Sequence, residues 1–428
     1  MRSHRALVAL VAIVATAWTT TIATGADAAT STTSSTSTAY AAIGVARRTV
    51  TVGGLVGADP ASSGAEIGAQ ARFARANRRG GVAGRTVEYA GNAADTAAAA
   101  ATVFAVVPAV SDTLDTDTLA RASVPFVGAA STTAWDGNRF GFGFVGAQAA
   151  LQTKVVSPAW GARLRSLLGT AQGSTVTLAV DTGALGAARA AQAEASLRAA
   201  RFRVASTITV PAPPAPLPDL TPIAGQLATG SPAVVLLLTS PAATFGLARL
   251  LADVGFVGTV AADASMYRPT TPAVASGLTV LVPYAPFEQA TTANRRLATD
   301  VETFAPGTKL TPGIAAGYWS ADLFLQMLAK TGKHLTRERF LAVARRFQYA
   351  VPDTVGTSRW PAAHAQGVPC GALVQSDGSQ YVVAEPYACG TPIVVKTPKR
   401  STTSTASTSS TASTASTATT LAATTTTR

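Results

Sequence analysis

The sequence predicts an α/β fold of two doubly wound lobes, each built on a parallel central sheet. Three observations carry this. Short Val- and Leu-rich strands alternate with helices through the whole middle of the chain, the arrangement that generates α/β layers. Some of those strands, "PAVVLLLTS" above all, are continuously apolar, as strands covered on both faces are. Between its low-complexity ends the chain has about 345 residues, from Arg47 to about Pro392, too many for one ordinary core.

The elements follow in order. "RTVTVGGLVG" is a strand of alternating Val, followed by a Gly- and Ser-rich loop and a helix from about Ala65 to Arg79 that ends at Gly80-Gly81. "RTVEYA" is the next strand. "ATVFAVVPAV" carries a helix end into a third, and "SVPFVGAAS" is a fourth. A second series opens with "STVTLAVD" and the helix "ALGAARAAQAEASLRAA". It continues through "FRVASTITV", a Pro-rich loop, "PAVVLLLTS", the helix "AATFGLARLLADVG" and "GTVAADAS". Near the end, "ALVQSDGSQYVVA" reads as two strands turning at Asp377-Gly378. Cys370 and Cys389 flank this hairpin and are the only cysteines. In an oxidising compartment they are expected to pair, which stabilises the hairpin by about 3 kcal/mol.

The ends indicate where the chain works. Arg2 and Arg5 precede an apolar run from Ala6 to Trp18, and the small-residue site Ala26-Asp27-Ala28 follows. This is the pattern of an export signal over residues 1–28, cut near Ala28, with an uncleaved anchor as the alternative. No cysteine stands near the cut, so no lipid anchor is expected, and the destination is the periplasm or the cell wall. The linker at 29–46 and the tail at 393–428 are rich in Ser and Thr and carry too little apolar surface to order themselves. Two readings stay open for them: a wall-crossing stalk bearing O-linked sugars, and a plain flexible tail.

Composition narrows the chemistry. The chain is 47% hydrophobic and 13% charged, with a formal net charge of +12. Its basic residues are scattered and not interleaved with aromatics, so nucleic acid is not an expected partner. Arg72, Arg75 and Arg79 share one face of the first helix and read as a solvated face. Beyond the signal segment only His334 and His364 remain, neither with a Cys or His at ligand spacing, so no metal is expected. "RFGFGFVG" contains a Gly-x-Gly-x-x-Gly, Gly141, Gly143 and Gly146. A dinucleotide fingerprint needs an apolar strand before it and an acid about 20 residues later. Here Phe140, Phe142 and Phe144 make the motif itself a strand, and no acid occurs between Gly146 and Asp181. The glycines suit close backbone packing where one lobe hands the chain to the other. No nucleophile elbow or phosphate loop occurs, and the cluster Asp112, Asp115 and Asp117 reads as a turn and helix start. An enzyme is not expected.

The series of elements resembles type I periplasmic binding proteins, in particular the leucine/isoleucine/valine-binding branch that feeds ABC transporters. The likeness runs from Val50 to about Ala384 and is clearest in "GLVGADPASSGAEIGAQARFARANRRGGVAGRTVEY" and "ASVPFVGAASTTAW". The second half adds "LAVDTGALGAARAA", "VVLLLTSPAATFGLARLLADVGF" and "SGLTVLVPYAPFE". Each motif alone is degenerate; their order and spacing together are specific. The resemblance implies a hinge of three crossing strands, near 140–150, near 282–288 and after Pro352. Lobe 1 is then 47–145 with 283–352, and lobe 2 is 146–282 with 353–392. A small ligand sits between the lobes, at the carboxyl ends of the strands. Lobe 1 contributes Ser62, Ser63, Ser111, Asp112, Ala130, Ser131 and Thr132. Lobe 2 contributes Asp181, Leu185, Ser240, Asp263 and Ser265. The further implications are a membrane permease as partner, a monomer and no cofactor.

The chain also departs from that family. Where amino-acid binders carry aromatics it has Ser63, Leu185 and Pro241, which implies a wider or wetter pocket. The family's carboxylate-holding Ser aligns with Ser111 or Asp112, and Asp263 lies near the acid that meets the ligand's ammonium. If Asp112 faces the cleft it repels a carboxylate and favours a cation, amide or polyol; the preferred reading is that it caps its own helix. Three functions fit: delivery of a small polar solute, such as an amino acid or amide, to an ABC importer, ligand sensing on the same fold, and a degenerate cell-wall protein without ligand.

Overall fold

Alternating strands and helices wind into two sheets in the computed structural model, which describes residues 43–169 and 172–395. The expected export signal, most of the linker and nearly all of the tail lie outside the described residues. The first sheet begins with β1 (Thr49–Val56), α1 (Ala65–Arg78), β2 (Thr86–Asn92), α2 (Thr96–Thr102) and β3 (Ala105–Val110). It is completed by α3 (Thr116–Arg121), β4 (Phe126–Gly128) and β5 (Gly141–Gly143). Its strands are all parallel in the order β2-β1-β3-β4-β5. Every residue of the central strand β3 is buried, because helices cover both faces.

The second series contains β6 (Val155–Val156), α4 (Ala159–Leu168), β7 (Thr175–Asp181), α5 (Ala184–Ala199) and β8 (Arg203–Val210). Next come α6 (Thr221–Ala228), β9 (Val234–Leu238), α7 (Pro241–Asp253), β10 (Thr259–Ala262), α8 (Thr271–Val274) and β11 (Thr279–Val282). The chain then returns to pack on the first sheet as α9 (Thr292–Phe304), α10 (Pro312–Thr331) and α11 (Arg337–Ala344), followed by β12 (Gln348–Val351) and β13 (Val355–Arg359), which pair with each other in a two-stranded ladder. It ends on the second with β14 (Cys370–Ser376) and β15 (Tyr381–Cys389), and then β16 (Ile393–Val394) pairs with β6 in a separate two-stranded ladder. The second sheet has the order β15-β14-β11-β10-β9-β7-β8. It is parallel from β8 to β11 and antiparallel through β14 and β15, so the cysteine hairpin forms its edge. Cys370 and Cys389 face each other across the ladder and are joined by a disulfide.

Packing of α10 on α1 explains how the returning chain completes the first lobe. Gly68 and Gly317 let the two helix backbones touch: a Cβ on Gly68 would meet the Ile314 carbonyl, and one on Gly317 the Ala65 carbonyl. Side chains around this contact overturn one sequence expectation. Arg72 and Arg75 are not a solvated face; they pair with Asp322 at 2.7 Å and Asp300 at 2.9 Å. Their partners come from helices more than 200 residues away, beyond the reach of any local pattern.

The glycine-rich stretch is the first crossing. A Cβ on Gly143 would run into Ala130 and the Gly146 carbonyl, and Gly146 has φ +69° and bridges to Gly367. Tyr284 bridges in turn to Val355, so all three crossings are tied together. Trp360 and His364 still pack on Phe142 of β5. The segment after Pro352 thus stays packed against β5 as far as His364 before the chain enters β14. His364 is structural: Nδ1 lies 3.1 Å from the Gly141 carbonyl. Burial, reinforced by Arg345 and Arg139, lowers its pKa to about 4.

Candidate functional site

Strands of a parallel sheet all end on the same edge, so the loops after them gather side chains from distant parts of the sequence. Six such loops meet here, from β1, β3 and β4 of one sheet and from β7, β9 and β10 of the other. Together they enclose a cavity of about 560 Å³, a size typical of small-molecule sites.

In the first lobe the cavity is lined by Ser62, Ser111, Asp112 and Ser131, and in the second by Asp181, Ser240, Asp263 and Ser265. The other four residues expected there do not line it. Ser63 is exposed, and its carbonyl accepts from Thr311 Oγ1, which turns the loop toward α10. Ala130 is buried in the left-handed region at φ +50°, packed over Gly143. Thr132 opens the short turn Thr133–Trp135. Leu185 lies in the first turn of α5, away from the cavity wall.

Asp112 differs from the preferred expectation. The residue that caps α3 is Asp115, which accepts from the amides of Asp117 and Thr118 at 3.1 and 3.0 Å. Ser111 Oγ takes the Thr113 amide at 3.2 Å. Asp112 is left exposed at the cavity wall.

The second-lobe wall holds more charge. Asp181 ends β7, where its Oδ1 accepts from the Ser240 amide at 3.0 Å and so occupies the N-terminus of α7. Burial raises the Asp181 carboxyl above its ordinary value, and Asp263 adds to this; the Ser240 amide and Arg189 oppose it. Asp263 accepts from the Ser265 amide at 2.9 Å and faces Arg189 Nη1 at 3.3 Å. The hydroxyls of Ser240 and Ser265 are buried without a hydrogen-bond partner in the protein.

Several cavity residues escaped the sequence reading. Arg268 Nη2 reaches Asp59 Oδ2 at 3.0 Å, a direct ion pair between lobes, while its Nε donates to the Ser265 carbonyl at 2.6 Å. Asp59 is itself fixed by accepting the Ala61 amide at 2.7 Å. Arg189, one helical turn beyond Leu185, was legible as the charge nearest the start of α5; nothing in the sequence marks Arg268. Aromatic walls are present after all, from other positions: Phe144, Trp160, Tyr267 and Tyr284. Phe144 and Tyr284 come from two different crossings, with ring centroids 5.5 Å apart. Tyr267 is held from behind by donating to Glu288 Oε2 at 2.5 Å, and burial raises that carboxyl.

A second hollow of similar volume lies between α4 and the end of α5, lined by Arg165, Ser166 and Ile393. It is remote from the strand ends and gathers no cluster of polar groups. Among the described residues no group of His, Cys, Asp and Glu could hold a metal ion, and no helix is long and apolar enough to cross a membrane.

Two sheets joined by three tied crossings, with polar strand ends facing one cavity, define a type I two-lobed binding protein. The chain belongs to the periplasmic binding protein family, whose model matches residues 43–380. No curated protein matches the sequence. Among solved structures the chain is similar to a fatty acid ABC transporter substrate-binding protein from Thermomonospora curvata. The TM-score is 0.63 at 17% identity, covering 82% of this chain and 94% of that one. A substrate-binding periplasmic protein from Ralstonia solanacearum gives 0.59 at 15% identity, over 79% and 100% of the two chains. The solute-binding protein of an ABC transporter from R. palustris, in complex with benzoate, gives 0.56 at 15% identity, over 81% and 99%. The family and these neighbours are solute-binding proteins, not enzymes.

Proposed function

We propose that this chain is exported, cut near Ala28, and captures a small polar solute, such as an amino acid or amide, for delivery to the permease of an ABC importer. The observation that carries this is the cavity of about 560 Å³ lined by strand ends of both sheets. A solute that touches both lobes favours the closed arrangement over the open one, which is the physical basis of capture by domain closure. Relatives that take a fatty acid and benzoate support a small organic ligand. A cavity of this volume also speaks against a degenerate form whose pocket has filled with side chains. Lobe 1 in this reading is the sheet of β1 to β5 with α9 to β13; lobe 2 is the sheet of β7 to β11 with β14 and β15.

The test is a stability screen of the exported chain against amino acids, amides, sugars, amines and carboxylates. A ligand present at about 100 times its Kd adds about 2.7 kcal/mol of stability. At least one class is expected to raise the unfolding temperature progressively with the logarithm of its concentration. If none does so at millimolar concentration, the reading fails.

A further inference from the structure

Charge in the cavity is unevenly balanced. Among the described residues its charged side chains are Asp59, Asp112, Asp181, Asp263, Arg189 and Arg268, four carboxylates against two guanidiniums. Both guanidiniums are already engaged. Arg268 holds Asp59 at 3.0 Å and the Ser265 carbonyl at 2.6 Å, and Arg189 faces Asp263 at 3.3 Å. Asp112 in the first lobe and Asp181 in the second have no ion-pair partner among the described residues.

The backbone donors point the same way. A helix N-terminus facing a cleft is a natural seat for a ligand carboxylate, but at α7 an acid already stands there, Asp181 accepting from the Ser240 amide. An incoming carboxylate would therefore meet a half-buried acid beside the donors it needs. The aromatic walls of Phe144, Tyr267 and Tyr284 accommodate both an apolar ligand body and a positive group.

Resting on the solute-binding reading, we propose that the cavity selects a cationic solute, an organic amine or amidine, held between Asp112 of one lobe and Asp181 of the other. Simple carboxylates are rejected. Closure then brings two acids of opposite lobes onto one positive ligand, which relieves their mutual repulsion only when the ligand is present.

The experiment uses two sets of probes matched in shape and differing in charge: benzamidine, benzamide and benzoate, and butylammonium, butanamide and butyrate. Each is titrated into the full exported chain by calorimetry and followed by thermal unfolding. A cation of at least one set is expected to bind at least tenfold more tightly than its matched carboxylate, and less tightly as salt is raised. Asp112→Asn and Asp181→Asn are each expected to weaken the cation about tenfold or more. Asn at 181 still accepts the Ser240 amide, so the fold is retained. Binding of a carboxylate as tightly as its matched cation, or no binding of either cation, overturns the proposal. In those cases the solute-binding reading survives if any member of the broader screen stabilises the chain.

Discussion

Asp322→Ala is expected to lower the unfolding free energy by about 3 to 5 kcal/mol, the range for removing one partner of a buried ion pair. Asp322 sits in the middle of α10, where one carboxylate serves three elements. It takes Arg72 Nε of α1 at 2.7 Å, Gln326 Nε2 at 2.8 Å and Tyr349 Oη of β12 at 3.0 Å. Tyr349 is fully buried, and burial with the adjacent carboxylate pushes its phenol well up. It therefore remains a hydrogen-bond donor, and truncation leaves both it and the largely buried Arg72 guanidinium without this acceptor. Asp322→Asn keeps an acceptor and is expected to lose less. Urea unfolding of both variants checks this, and a loss below about 1 kcal/mol for the alanine would place the pair among weak surface bridges.

Replacing Cys370 and Cys389 together by Ser is expected to remove about 3 kcal/mol, from the conformational freedom regained by the unfolded chain. The bridge closes a separation of 19 residues across β14 and β15. That hairpin is the antiparallel edge of the second sheet and directly follows the last crossing. Denaturant unfolding of the variant, beside wild type with and without reductant, reads the effect. Equal stability of the oxidised and reduced forms would show that β14 and β15 are held by the ladder alone.

The fold was legible where physics is local. Alternating Val in β1, the unbroken apolar run of β9 and the glycines after α1 each depend on neighbours a few residues away, and each fell where the sequence placed it. The glycine-rich stretch could be separated from a nucleotide motif because its phenylalanines alternate like a strand. What stayed hidden depends on contacts across the fold. Arg72 and Arg75 were read as solvated because their acids lie on α9 and α10. Asp59 and Arg268 are 209 residues apart, and no spacing rule joins them. The cavity loops were legible as strand ends, but which side chain of each loop turns inward was not. Ser62 lines the cavity while Ser63, its neighbour, turns away. Aromatic walls were sought at the family's positions and came instead from the crossings, from Trp160 of α4 and from the segment after β10.

The central claim, that one ligand is held by both lobes at once, is tested most directly by its affinity for two single variants. Ser131 lines the cavity from the first lobe and Asp263 from the second. With any ligand found in the screen, Ser131→Ala and Asp263→Asn are each predicted to weaken binding about tenfold, the effect of losing one hydrogen bond to a charged group. Unfolding of the ligand-free variants is predicted to stay close to wild type. Undiminished affinity in every variant of one lobe, Ser131→Ala with Asp112→Asn in the first or Asp263→Asn with Asp181→Asn in the second, would mean that the ligand is held by the other lobe alone, and capture by closure would be contradicted.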